Sequence, residues 1–177
     1  SAPAGHPAAD LPAVPAAPVL ALPPACADPG LAALYRRLLA FEFDDPQAVL
    51  PFSRRLARDN GWTHAGALRA IDEYRRFVFL AVAAGHPVTP SDQVDQVWHL
   101  HLAYTRSYWE AFCPQVLGCM LHHGPTRGGA GEAAKYDDAY RRTLASYERC
   151  FGAPPPADLW PPPAVRFGRD LAFVRVN

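Results

Sequence analysis

Residues Thr89 to Phe112 read TPSDQVDQVWHLHLAYTRSYWEAF, and this stretch decides the fold. Thr89 suits an N-cap, Pro90 the first helical position, and Asp92 completes a capping box near the positive end of the helix dipole. The signals predict a helix over 90–112 that stops before Pro114, because the residue preceding a proline is pushed out of the helical region. At ~100° per residue, Val94, Trp98, His101, Thr105, Tyr108 and Phe112 share one face, while Asp95, His99, Leu102 and Arg106 share another. A long helix with an apolar face needs other helices to cover it.

Those helices are legible on either side. Upstream, Asp28-Pro29 marks a helix start followed by Leu31, Leu34, Tyr35, Leu38 and Phe41 at helical spacing. Asp45-Pro46 repeats the signal, with Val49, Leu50, Phe52 and Leu56 behind it and Asn60-Gly61 as its stop. A third helix is expected from near Thr63 to Gly85. Leu68, Ile71, Tyr74 and Val78 mark one face, and residues 77–82 are apolar all round, which predicts the central, buried helix. Downstream, a loop carries His122 and His123, and a fifth helix over 131–151 shows Tyr136, Tyr140, Thr143, Leu144 and Tyr147 on one stripe. Nothing alternates long enough to make a sheet. The expectation is an all-α bundle of about five helices over residues 28–152. An Ala/Pro-rich arm (1–27) precedes it and an extended Pro-rich tail (153–177) packs on it, with a short strand at 173–176.

The chemistry concentrates in the same stretch. His99 and His101 point about 160° apart on an unbroken helix, so they cannot share one ion. Asp95 and His99, at i and i+4, can meet. A carboxylate and an imidazole can ligate a metal together, or the carboxylate can merely orient the ring. A third ligand must come from His122 or His123 in the loop. Two histidines and one carboxylate suit iron(II) or zinc with an open position. In the plainer reading Asp95–His99 is a structural pair and His101 is a hydrogen-bonded core histidine. His6, His64 and His86 are read as surface or turn residues.

The segment Val94-Asp-x-x-Trp-His-x-His-Leu102, with Tyr104, Tyr108 and Cys113 behind it, resembles the glycine-rich-domain-containing-protein-like family of plants and bacteria. Further matching motifs are Asn60-Gly-Trp62, Ala84-Gly-His-Pro-Val-Thr-Pro90, His122-His-Gly-Pro-Thr126 and Trp160-Pro161. The resemblance adds no settled activity. It implies that the signature residues are Asp95, Trp98, His99, His101 and Leu102, with His123 in the loop. Similar bacterial proteins carry apolar segments after this region, so the chain is expected to be the soluble head of a membrane protein, anchored only through segments beyond it.

The candidate metal ligands are therefore Asp95, His99 and His123, with His101 and His122 as second choices. Trp98, Tyr104, Arg106 and Tyr108 are the expected neighbours, and zinc or iron the expected ion. The competing expectation is a non-catalytic interaction module with an unknown protein partner, in which the histidine signature serves the fold. Composition excludes other classes. Seventeen basic against seventeen acidic residues cancel to zero net charge, which argues against capture of nucleic acid. No apolar run reaches the ~18 residues of a membrane span, and neither GxSxG, a phosphate-binding Walker loop nor a dinucleotide-binding glycine pattern occurs. Cys26, Cys113, Cys119 and Cys150 form no metal or disulfide pattern and are expected reduced and buried. That favours the cytoplasm or the cytoplasmic face of a membrane.

Overall fold

The structure is a computed structural model that describes residues 28–124 and 129–167. The N-terminal arm with His6 and Cys26, and the strand expected at 173–176, lie outside these residues. Within them every regular element is helical: α1 (Pro29–Ala40), α2 (Phe52–Asn60), α3 (His64–Ala83), α4 (Asp92–Ala103), π1 (Arg106–Leu117), α5 (Ala130–Phe151) and α6 (Pro163–Phe167). The chain is all-α, as its sequence indicates.

α1 begins where its signal lies. The Asp28 carboxylate accepts the N–H groups of Gly30 (2.6 Å) and Leu31 (3.2 Å), and Pro29 takes the first turn. α2 begins seven residues after Asp45 rather than at it. Asp45 accepts Gln47 N–H at 2.9 Å in a local turn, and Val49 is fully exposed. Pro51 disfavours helical backbone at Leu50. The start of α2 is instead served by Asp44, whose carboxylate accepts both the N–H (2.7 Å) and the hydroxyl (2.6 Å) of Ser53.

α3 is the central helix. Thr63 caps it through Gly66 N–H, and it packs against α1, α2, α4 and α5. Ala67, Ala70, Ile71, Tyr74 and the run Phe77–Leu80 are buried, but Leu68 faces solvent, one residue off the buried stripe. Glu73 is also buried. Its carboxylate accepts Arg76 (2.9 Å), the Tyr147 hydroxyl (2.8 Å) and the Trp160 indole (3.0 Å), which satisfies a charge that burial would otherwise penalise.

The decisive stretch differs from its expected form at both ends. The N-cap of α4 is Ser91, whose hydroxyl accepts Val94 N–H at 3.1 Å. Thr89 is held two residues back because its N–H donates to Thr143 Oγ1 of α5 (2.9 Å). At the far end the helix does not run to Phe112. It breaks at Tyr104 (ψ 69°) and resumes as π1, which passes through Pro114. In the turn that contains the proline, the Gln115 side chain donates to Glu110 O (3.1 Å). The break turns Thr105 to solvent, while Tyr108 and Phe112 return to the core. Gly118, at φ 73°, ends the segment in a left-handed turn.

Beyond α5 the chain is fastened back to the bundle by Trp160 on Glu73, by the Tyr140 hydroxyl on Pro161 O (2.6 Å), and by Arg166 on Asp92 (2.8 Å). Cys113 and Cys150 are buried free thiols; Cys119, expected buried, is exposed. No helix of the described residues is long and apolar enough to cross a membrane.

Candidate metal centre

Asp95 and His99 stand one turn apart on α4, with His99 Nδ1 3.7 Å from Asp95 Oδ2. His123 reaches them from the loop after π1 and places Nε2 2.7 Å from Asp95 Oδ1. One ligand atom of each residue lies within 4.8 Å of the other two. An ion held at ~2.0–2.1 Å by tetrahedral ligands needs donor atoms roughly 3.3 Å apart, so modest side-chain rotations would form the site. Of the two loop histidines, the structure brings His123 to the pair. Its partner His122 is exposed and packs on Trp109, with ring centres 5.3 Å apart.

The signature residues form a cradle for the His123 ring. Trp98 meets it edge-on with centroids 4.3 Å apart, His99 lies 4.5 Å away on another side, and Asp95 holds the ring nitrogen. Trp98 is in turn held by Tyr108, whose hydroxyl accepts the indole N–H at 2.9 Å and donates to Leu121 O, two residues before His123. Burial pushes the Tyr108 hydroxyl well above the ordinary phenol range, so it stays protonated and remains a donor.

His101 belongs elsewhere. It is fully buried between Tyr74 (hydroxyl to Nδ1, 3.0 Å) and Ser107 (Oγ to Nε2, 3.1 Å), inside a ring of Phe43, Phe112 and Tyr108. Burial lowers its pKa to about 3, so the ring is neutral. Each ring nitrogen meets a hydroxyl that can donate or accept, so the neutral ring is satisfied at both positions. Among the neighbours expected for the trio, Trp98 and Tyr108 are in place. Tyr104 packs instead on Phe52 (5.3 Å) with Arg55 over its ring, and Arg106 is exposed. His64 and His86 are more than surface residues: they pair with Ser53 Oγ (2.8 Å) and Ser146 Oγ (2.6 Å) and tie α3 to α2 and its C-terminal turn to α5.

Asp95 and His123 also open onto a cleft of ≈ 380 Å³. Its walls are mainly apolar, with Val88, Pro90, Trp98 and Ala133; Tyr136, Glu132 and Arg166 close the far side. Sequence reasoning missed the cleft. Tyr136 reads from its spacing as a core residue of α5, and nothing local announces that Arg166 returns to face α4.

Neither the curated proteins nor the solved structures hold a match to this chain. Residues 52–149, from the start of α2 almost to the end of α5 and including the whole trio, match the model of the UCP032817-like family, and the chain belongs to that family.

Proposed function

We propose that this domain binds one divalent transition-metal ion, zinc or iron(II), through Asp95, His99 and His123. The observation that carries the reading is the convergence of a loop histidine on a carboxylate–histidine pair one helical turn long. The donor set fits: one carboxylate with two imidazoles leaves a coordination position open in either metal's common geometry. Such an ion supplies Lewis-acid polarisation of a bound oxygen group. The protein's own contribution is to orient the donors, with Trp98 fixing one imidazole, and to offer a mainly apolar cleft beside two of the three ligands. That arrangement suits a small, largely apolar molecule carrying an oxygen donor. The resemblance to the glycine-rich-domain-containing-protein-like family supports a further placement, as the head of a bacterial membrane-associated protein, and the free cysteines favour the cytoplasm or the cytoplasmic face of a membrane.

A second reading has one observation in its favour. The Asp95–His123 hydrogen bond satisfies both groups without an ion, so the signature could serve the fold of an interaction module. Elemental analysis and zinc titration of untagged protein separate the two. Binding of about one equivalent, lost in His123→Ala, supports the metal site. Absence of binding in the parent protein, or unchanged binding in the variant, overturns it.

A further inference from the structure

We infer that Tyr108 is the positioning residue of the trio: its hydroxyl latches the loop that delivers His123 to Asp95 and His99. The inference rests on the metal reading for its functional meaning, but its geometry is independent of any ion. The Tyr108 oxygen accepts the Trp98 indole N–H at 2.9 Å and donates to the Leu121 carbonyl. One hydroxyl thus joins the helix carrying Asp95 and His99 to the loop carrying His123. Both ends act on the same imidazole. Trp98 packs edge-on against His123 at 4.3 Å, and Leu121 is two residues before it in the chain.

The break at Tyr104 makes the latch possible. Ten residues of continuous α-helix would set Trp98 and Tyr108 about 15 Å apart along the axis, beyond a direct side-chain hydrogen bond of this kind. Turning the chain at Tyr104 and winding π1 brings the Tyr108 ring back beside α4, where it is fully buried. Wide turns of this type recur at functional sites. Here the turn has an assignable purpose, because an exposed loop is otherwise free to hold His123 in many places. An unlatched loop loses the convergence of three donors on which a single ion depends.

The test uses the full chain and the variant Tyr108→Phe, which removes only the hydroxyl. Cobalt(II) serves as the probe, because its visible absorption reports coordination number as well as affinity. Phe79→Leu is the control, a buried core change whose ring partners are Tyr35 and Phe151, away from the latch. Tyr108→Phe is expected to weaken cobalt binding about 10- to 100-fold and to alter the absorption band, and to speed amide hydrogen exchange at residues 121–124. Phe79→Leu is expected to lower the melting temperature and leave affinity and spectrum unchanged. Parent-like affinity and loop exchange in Tyr108→Phe, or an equal loss of affinity in Phe79→Leu, overturns the inference. Should the parent protein bind no cobalt, the metal reading falls, and the latch is judged on exchange alone: faster exchange at 121–124 in Tyr108→Phe upholds it, and unchanged exchange rejects it.

Discussion

His123 Nε2 lies 2.7 Å from Asp95 Oδ1, a contact between residues 28 positions apart that joins the loop after π1 to the first turns of α4. Without an ion this hydrogen bond occupies the carboxylate oxygen and the ring nitrogen that a metal would take. Metal and proton therefore compete for the same two atoms.

From that competition, Asp95→Asn should abolish zinc binding, because the amide replaces the anionic oxygen that the ion would take. Zinc titrations of the parent protein and the variant check this. Parent-like binding in Asp95→Asn would show that the ion sits elsewhere.

The two histidines of the signature should respond differently to substitution. His99 is half exposed, so His99→Ala should change the unfolding free energy by less than ~0.5 kcal/mol while removing bound metal. His101 is buried and bonded at both nitrogens, so His101→Ala should cost ~1–3 kcal/mol and leave metal content intact wherever the variant folds. Denaturant melts and elemental analysis of both proteins decide between this and the reverse pattern.

His101 should also impose a pH dependence on stability. Its folded pKa of about 3 lies below the ordinary value of ~6.5, so the unfolded chain takes up the proton first. Its contribution is intact above about pH 6.5 and is lost progressively as pH falls toward 3, by up to ~1.4 kcal/mol per pH unit. Melts from pH 7 to 4 should therefore be steeper for the parent than for His101→Gln, which does not titrate. Parallel curves would show that other groups control acid unfolding.

Trp98 is nearly buried against Phe77 (5.2 Å) as well as His123. Trp98→Ala should cost ~3–5 kcal/mol through the cavity it leaves. Trp98→Phe should recover most of that stability while still freeing Tyr108 from its indole partner. Thermal melts of the pair measure the difference.

Much of this molecule follows from local chemistry. Asp28-Pro29 and Thr63 start helices where their side chains cap them, and Asn60-Gly61 and Gly152 end helices where a left-handed residue is needed. The apolar run in α3 foretells its central place, because a helix without a polar face must be covered. The opposite fates of His99 and His101 also follow from a 100° step, since both precede the break. Asp95 and His99 as a pair belong to this class as well: adjacent turns of one helix bring them together whatever the rest of the chain does.

What local chemistry left undecided depends on atoms distant in sequence. Thr89 is a sound cap by type, yet its N–H goes to Thr143, so Ser91 caps α4 instead. The choice of His123 over His122 as the structural partner of Asp95 cannot be read from two adjacent loop residues. It is made by Tyr108 and Trp98, which meet only because the chain turns at Tyr104. Side-chain periodicity and capping act within a turn or two of helix, and they set which residues face the core. The positions of loop donors in space are set by buried hydrogen bonds and ring packing between segments, and those exist only once the helices have closed on one another.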